Sequence, residues 1–297
     1  MKDKALDIVG GRAAPGVAES GGRGAEAGAL NLLREYVQSR ILGVLQEAGA
    51  MVPLAFMGGT ALRFVFRTPR YSEDLDFTLE RSPEAFSLRA LASRIERRLQ
   101  REGYAVRVRV GDSGTVARVM IGFVGLLAEA GMSAHADEVL WVKIEVDTDP
   151  PAGAGLAVSV IDRFGLLRLQ HHDLPSLFAG KLAAILARNY AKGRDFYDLL
   201  WYLTRDGGAE PNLVLLGNAL RQTAPGVAEA AEADWRGAVR ARLEKVDWED
   251  ARRDVAPFLE QRRDVDLIAA ETFDALLRGL HQTRRASFRS NFPGLQK

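Results

Sequence analysis

Two short stretches of the sequence place acidic residues at alternate positions. One is DLDFTL, which contains Asp74 and Asp76, and the other is LWVKIEVD, which contains Glu145 and Asp147. Successive side chains of a β-strand point to opposite faces, so each stretch predicts a strand with one apolar and one acidic face. If the two strands are neighbours in one sheet, three or four carboxylates converge on a single surface.

Converging carboxylates predict a metal site. Carboxylates that crowd together raise one another's pKa unless a cation neutralises them. Mg²⁺ is a hard ion that takes oxygen ligands, and two such ions can activate an attacking hydroxyl and stabilise the leaving oxygen in phosphoryl-type transfer. The alternative is a solvated strand face, which is the commoner explanation of an isolated Asp-x-Asp.

A glycine pair lies upstream of the first acidic stretch. Gly58 and Gly59 follow the apolar residues 52–57 and precede Thr60, which favours a strand, a tight turn and a short helix that Thr60 caps. Backbone N–H groups at such a turn can approach a phosphate closely, and the helix N-terminus adds positive potential. The glycines could instead serve the turn geometry alone, but their spacing from Asp74 favours the phosphate-binding interpretation.

A lysine and two aspartates on consecutive predicted helices could complete a site. Lys181 lies inside an apolar stripe, where it either extends to the surface or meets phosphates. Asp195 and Asp198 share a helix face; Asp195 could be a capping residue, whereas Asp198, one turn further in, is expected to be the more functional. For Arg70 and Arg194, pairing with these acids is favoured over contact with phosphates.

Together these motifs resemble those of a known family. GGTAL followed by RYSEDLDF, with VKIEVD, FAGKL and RDFYDL later, is similar to the AbiEii/AbiGii toxin family of the DNA polymerase β-like nucleotidyltransferase superfamily, over roughly residues 54 to 202. The resemblance implies transfer of a nucleoside monophosphate from an NTP to an acceptor hydroxyl, with two Mg²⁺ ions. The residues that it implies are Asp74, Asp76 and Glu145 for the metals, Gly58, Gly59, Thr60, Arg70, Lys181 and Asp195 for the nucleotide, and Lys181 and Asp198 as further catalytic residues.

The same resemblance implies an RNA acceptor, expected to be the 3′ end of tRNA, and a growth-inhibiting toxin whose partner is a separately encoded antitoxin. Two alternatives stay open: a nucleotidyltransferase that modifies a small molecule or a protein, and a non-catalytic module that binds nucleotide or RNA. The full set of Asp74, Asp76, Glu145 and Lys181 argues against the second.

Two arginine-rich segments could contact RNA. One is a helix predicted over 86–101, and the other is the tail 284–292, in which Phe288 and Phe292 could stack on bases. A solvated charged face and a loose terminus are the alternatives.

Composition sets the remaining expectations. Forty basic and thirty-nine acidic residues give a net charge of +1, which neither favours nor excludes a nucleic acid. The absence of cysteine excludes disulfides and thiolate chemistry. No apolar run reaches the roughly 18 residues of a membrane helix, and the N-terminus is too polar for a signal peptide. A soluble, cytoplasmic protein that does not enter a membrane is therefore expected.

Hydrophobic periodicity predicts strands first and helices afterwards, which favours an α+β fold. With the family resemblance, this becomes an N-terminal nucleotidyltransferase-fold mixed β-sheet flanked by helices and followed by a C-terminal helical domain. The expected domains are a flexible Gly/Ala-rich arm over 1–28, a catalytic domain over 29–165, and a helical domain over 166–297 that completes the active site. The helices predicted in this last part lie near 175–190, 194–205, 211–223, 228–245, 248–261 and 264–284.

Overall fold

The computed structural model describes residues 2–10, 23–80, 87–111, 114–205 and 208–278. The chain divides into two compact units. The first comprises Met1–Phe66, Tyr71–Pro150 and Ala157–His171, and the second comprises Arg67–Arg70, Pro151–Leu156 and His172–Lys297. Arg70 therefore belongs to the second unit, although it lies only four residues before Asp74 in the sequence.

A seven-stranded mixed sheet forms the centre of the first unit, in the order β3-β4-β5-β2-β1-β7-β6. Its strands are β1 (Leu54–Met57), β2 (Leu75–Leu79), β3 (Val106–Gly111), β4 (Val116–Val124), β5 (Val139–Asp147), β6 (Leu156–Asp162) and β7 (Leu166–His172). The pairs β3–β4, β4–β5 and β1–β2 are antiparallel, whereas β2–β5 and β1–β7 are parallel. The predicted mixed sheet is confirmed.

Sequence alternation decides which face of a strand is buried. In β5, Leu140, Val142, Ile144 and Val146 are at most 3% exposed, whereas the residues between them are partly exposed. Burial of apolar area stabilises the fold by roughly 25 cal/mol per Å². A slip of one residue would turn the acidic face of β5 into the core, so the register is strongly specified.

Five helices accompany the sheet in the described part of the first unit: α1 (Lys2–Gly10), α2 (Arg23–Glu47), α3 (Gly58–Phe66), α4 (Leu88–Arg101) and α5 (Leu126–Glu129). Helix α4 begins after Ser87, whose side chain accepts a hydrogen bond from the N–H of Ala90. Its residues Leu91, Ile95 and Leu99 are buried at helical spacing, and the helix packs on β3 and β4. Because α4 covers the apolar face of these strands, its arginines lie on the opposite side of the sheet from the acidic residues.

The second unit is helical, as predicted. Its described helices are α6 (Leu174–Ala187), α7 (Gly193–Thr204), α8 (Leu213–Thr223), α9 (Pro225–Ala233), α10 (Trp235–Leu243), α11 (Trp248–Val255) and α12 (Ala270–Leu277), with short 3-10 helices at Ala256–Phe258 and Arg262–Leu267. Aromatic residues fill the core: the ring of Phe178 stacks on that of Tyr202 at 4.2 Å, and Trp235 packs edge-on against Phe178.

Several element predictions need correction. The helix predicted over 228–245 is two helices, α9 and α10, because the side chain of Asp234 starts α10 by accepting from the N–H of Gly237. The helix predicted near 264–284 is a 3-10 helix followed by α12, and residues 279–284 lie outside the described part. Thr60 is the third residue of α3 rather than its cap, since the helix begins at Gly58. Strand β7 was not predicted, because its few apolar residues lie in a short segment that ends in two histidines.

The predicted flexible arm is helical where the structure describes it. Helix α1 contains Ala5, which is fully buried, and Lys2 pairs with Glu129 at 2.6 Å. Helix α2 begins at Arg23, within the predicted arm. The bounds expected for the arm stay a prediction. Residues 11–22 lie outside the described part.

Strand β6 lies at the edge of the sheet. Val158 and Val160, on one of its faces, are 51% and 62% exposed, and Leu166 at the start of β7 is 71% exposed. Among the described residues, no helix has both the length and the apolarity needed to cross a membrane.

Candidate active site

The two acidic strands are neighbours in the sheet. Strand β2 runs parallel to β5, and the register pairs Asp76 with Glu145. Directly paired residues of adjacent strands carry their side chains on the same face, with backbones about 4.8 Å apart. The two carboxylates therefore lie side by side. The alternation of the sequence predicted this arrangement for the case in which the two strands are neighbours.

Lys143 joins the acidic cluster. Its Nζ lies 3.2 Å from Oδ2 of Asp74 and 2.9 Å from Oε2 of Glu145, so both carboxylates reach one cation. Nε of Arg118 on β4 also donates to Oε1 of Glu145 at 2.8 Å. Burial opposes the charge of Lys143, but the hydrogen bonds and charges of Glu145 and Asp74 outweigh it and raise its pKa. Burial likewise opposes ionisation of Glu145, but Lys143 and Arg118 prevail and lower its pKa.

The donor set of this cluster fits a hard divalent cation. Its oxygens come from Asp76 and Glu145 on adjacent strands and from Asp74 just before β2. The carboxylates of Asp74 and Glu145 both contact the ammonium of Lys143. Within the described residues, no three acidic or histidine side chains are already arranged to hold a metal ion. A divalent ion would therefore have to take the place of the Lys143 ammonium, while Asp74, Asp76 and Glu145 supply oxygen ligands.

Gly58 packs against the carboxylate of Asp76. The residue has φ +74°, a conformation that favours glycine. A Cβ at this position would meet Oδ2 of Asp76 at 2.3 Å, so close approach also requires glycine. Helix α3 begins here, and its first N–H groups, starting with Gly58 and Gly59, have no partner within the helix. The N-terminus of α3 and the acidic cluster therefore adjoin.

Thr60 has a structural contact. Its hydroxyl is buried and donates a hydrogen bond to the backbone carbonyl of Asp74. This bond ties the first turn of α3 to the residue that precedes β2. The predicted contact of the Thr60 hydroxyl with a phosphate remains a prediction.

The second unit holds a buried ion network. Arg70 donates to both carboxylate oxygens of Asp198, each at 2.6 Å. Nζ of Lys181 lies 2.8 Å from Oδ2 of Asp198 and 3.0 Å from Oδ1 of Asp195, and Arg188 pairs with the other oxygen of Asp195. The side chains of Arg70, Asp198 and Asp195 are at most 5% exposed. Arg70 thus pairs with an acid, the alternative that the sequence favoured.

Charges in this network stabilise one another. Burial opposes the charge of Lys181, but Asp198 and Asp195 outweigh it and raise its pKa. Burial also opposes ionisation of Asp195, but Lys181 and Arg188 prevail and lower its pKa. Lys181 therefore stays charged in an apolar stripe because two aspartates face it.

Lys192 of this unit was not predicted as a site residue. Burial lowers its pKa, and although Asp195 opposes that effect, Arg194, Arg188 and Lys181 lower the pKa further. Lys192 is partly exposed and lies among these charges. Its position three residues before Asp195, at the start of α7, was the available signal.

Arg194 pairs elsewhere. Its Nε lies 3.9 Å from Oδ2 of Asp254, and its guanidinium stands 4.2 Å from the ring centre of Phe258. These contacts hold α7 against the helices that follow it.

Comparisons with known proteins place the chain in a class. JHP933 of Helicobacter pylori has a similar structure, with a TM-score of 0.50 and 16% identity over 90% of this chain and 98% of that one. MenT4, a nucleotidyltransferase toxin of Mycobacterium tuberculosis, is also similar, with a TM-score of 0.47 and 18% identity over 92% of this chain and 99% of that one. None of the curated proteins compared with the chain matches it.

A family model described as nucleotidyl transferase AbiEii toxin, type IV toxin–antitoxin system, matches residues 40–279. The chain belongs to this family of nucleotidyltransferase toxins. The family resemblance read from the motifs is confirmed.

Proposed function

We propose that the chain transfers a nucleoside monophosphate from an NTP to the 3′ end of an RNA, with Mg²⁺ held by Asp74, Asp76 and Glu145. One observation carries the proposal: the carboxylates of Asp74 and Glu145 meet at a single cation, Lys143, next to the strand position of Asp76. Membership in a nucleotidyltransferase toxin family supports the reaction class.

The reaction is an in-line displacement at phosphorus. The hydroxyl oxygen of the acceptor forms a bond to the α-phosphorus of the NTP, and the bond from this phosphorus to the oxygen that bridges it to the β-phosphate breaks. Pyrophosphate leaves, and the hydroxyl proton passes to water. When bound, two divalent ions would neutralise the phosphates and lower the pKa of the acceptor hydroxyl.

Gly58 and Gly59 would bind the triphosphate through backbone N–H groups. The N-terminus of α3 adjoins Asp76, and a helix N-terminus favours an anion. The absence of a side chain at Gly58 lets both the carboxylate and a phosphate approach the backbone. Thr60 positions Asp74 through its carbonyl.

The ion network of the second unit is itself proposed to bind a phosphate group. Arg70, Lys181 and Arg188 bring three cations against the two carboxylates of Asp195 and Asp198. The excess positive charge favours a phosphate group, for which Lys181 is the expected partner. Asp198 is proposed to act by positioning Arg70 and Lys181, because its two oxygens are engaged by these cations. Asp195 does the same for Lys181.

An RNA acceptor, expected to be the 3′ end of tRNA, is what the family resemblance implies. The type IV toxin family also implies a separately encoded antitoxin as partner. The competing proposal is a small molecule or a protein side chain as acceptor.

The test is a labelling experiment. The purified protein is incubated with each α-labelled NTP, Mg²⁺ and either total RNA, total protein or a small-molecule extract, and mass spectrometry then examines the RNA 3′ ends. Label on RNA that depends on Mg²⁺, is removed by ribonuclease and disappears with Asp76→Asn supports the proposal. Label confined to protein or small molecules rejects the RNA acceptor.

A further inference from the structure

The sheet face that carries the carboxylates continues onto β4 and β3. Trp141 of β5 pairs with Gly122 of β4, and Gly122 pairs with Arg107 of β3. Arg109 lies two residues further along β3, and Trp141 lies four residues before Glu145. Paired residues and residues at even spacing share a face. Trp141 and both arginines therefore project from the face that carries Glu145.

Trp141 forms a flat aromatic surface on this face. Gly122 leaves room for the indole: a Cβ there would lie 2.7 Å from Cζ3 and 2.8 Å from Cη2 of Trp141. The guanidinium of Arg109 stands over the ring, with Cζ 4.9 Å from the ring centre. Trp141 is partly exposed and Arg109 is exposed. The hydrogen-bonded strands β3, β4 and β5 hold Trp141 and Arg109 next to each other.

The charge beside Trp141 is positive and unneutralised. Arg107 and Arg109 are exposed, and neither forms an ion pair within the part of the chain that the structure describes. Arg118, whose side chain is 57% exposed, lies between them and the acidic cluster and pairs with Glu145. Exposed cations in a row attract a polyanion, and a planar guanidinium over an indole offers a stacking surface for a base.

We infer that Trp141, Arg107 and Arg109, here named the sheet platform, bind single-stranded RNA just before its reacting 3′ end. This inference rests on the proposed function, in which the neighbouring carboxylates are the reaction centre and RNA is the acceptor. A base stacks on the pair of Trp141 and Arg109, and Arg107 meets a phosphate. At about 3.3 Å per residue, Trp141 lies roughly 13 Å along β5 from Glu145. That length corresponds to about four stacked nucleotides at 3.4 Å each.

Helix α4 provides a matched control. Its Arg97 and Arg101 are as exposed as Arg107 and Arg109, but the helix covers the apolar side of the same strands. Removal of these arginines changes the total charge equally without touching the sheet platform.

The experiment measures RNA binding and catalysis separately. Fluorescence anisotropy follows a labelled single-stranded RNA titrated with the full-length protein that also carries Asp76→Asn, and nucleotide binding is measured in the same preparations. Trp141→Ala is expected to weaken RNA binding about fivefold to a hundredfold, as for loss of one stacked base. Arg107→Ala and Arg109→Ala should each lower the slope of log affinity against log salt by about 0.7. Arg97→Ala and Arg101→Ala should leave affinity and slope at their starting values.

The outcomes separate the two proposals. Wild-type RNA affinity in both Trp141→Ala and the Arg107→Ala/Arg109→Ala double variant would overturn the sheet platform, even if RNA is labelled. Labelling of protein alone would overturn the proposed acceptor and, with it, the sheet platform. In the active background, Trp141→Ala should raise the KM for RNA while the KM for the NTP stays constant. The double variant changes only exposed side chains, so it keeps the inference testable if Trp141→Ala does not fold.

Discussion

Gly58 and Asp76 approach so closely that residue 58 can carry no side chain: a Cβ there would lie 2.3 Å from Oδ2 of the aspartate. The left-handed backbone of Gly58 adds a second penalty of roughly 1–2 kcal/mol for any other residue. Gly58→Ala should therefore displace the Asp76 carboxylate. A displacement of about 1 Å can reduce catalysis about a hundredfold, which the labelling rate would measure.

Gly226→Ala is the matched control for this substitution. Gly226 lies in α9, and a Cβ there would meet no atom within 4 Å. It should retain the labelling rate and, because alanine favours helix over glycine, fold at least as stably. Equal activity of Gly58→Ala and Gly226→Ala would contradict the role given to Gly58.

The paired carboxylates make a prediction about charge. Asp76→Asn and Glu145→Gln keep the shape of each side chain but remove a negative charge from the proposed metal ligands. Each should reduce nucleotidyl transfer about a thousandfold, equivalent to about 4 kcal/mol of transition-state stabilisation. Asp137→Asn, at an exposed position outside the cluster, should retain the wild-type rate. A Glu145→Gln enzyme with unchanged kinetics would remove Glu145 from the site.

The position of Lys143 leads to a prediction about thermal stability, which can be tested without an activity assay. Lys143→Met removes the ammonium that Asp74 and Glu145 share, so a divalent ion no longer has to displace it. The variant should melt at a lower temperature than wild type in chelator but gain more stability on addition of Mg²⁺, since a ligand stabilises the state that it binds. Lys245→Met, at an exposed position, should respond to Mg²⁺ as wild type does. A Lys143→Met protein insensitive to Mg²⁺ would argue against the proposed metal site.

The pair of Arg70 and Asp198 makes a prediction about stability. Its side chains are 2% and 0% exposed, and removal of Arg70 leaves the buried carboxylate of Asp198 with only part of its positive charge, that of Lys181 at 2.8 Å. Arg70→Ala should cost about 3–5 kcal/mol in the free energy of unfolding, as measured by urea titration. Arg70→Lys should recover only part of this loss, because an ammonium cannot bind both carboxylate oxygens as the guanidinium does. Arg253→Ala breaks a solvent-exposed pair and should leave the urea midpoint unchanged.

The pKa of Asp195 predicts how stability depends on pH. The folded protein lowers this pKa below the ordinary value of 3.8, so the carboxylate contributes stability that is fully present above pH 3.8. That contribution is lost as the pH falls from 3.8 through the folded pKa. Wild type should thus exceed Asp195→Asn in stability at neutral pH, and the difference should shrink on acidification below pH 3.8. A difference that is constant with pH would show that Asp195 stabilises the fold through something other than its charge.

Alternation and family motifs predicted much of this molecule. Strand β5 comprises the predicted stretch LWVKIEVD and one residue before it, and buried and partly exposed positions alternate through all nine residues. Given that β2 and β5 are neighbours, alternation places Asp76 and Glu145 on the same face. That the two strands are neighbours could not be predicted, because it depends on contacts between residues far apart in the sequence. Helix ends were less predictable: α9 and α10 read as one helix because the capping role of Asp234 depends on local geometry.

Charge partners were the hardest feature to predict. Lys143 stood on the acidic face of its strand, but its contact with Asp74 depends on strand order. Lys181 was expected to meet phosphates or solvent, whereas the structure gives it two aspartates from α7. The contact between Trp141 and Gly122 was not predicted, because it depends on which strand lies beside β5.

Strand β6 has a practical consequence for work with the protein. It ends the sheet and exposes Val158 and Val160 along one face. An edge with open backbone groups and aliphatic side chains can template pairing with another chain. At high concentration the protein should therefore self-associate through β6. Val160→Lys should reduce this self-association without changing either ion cluster.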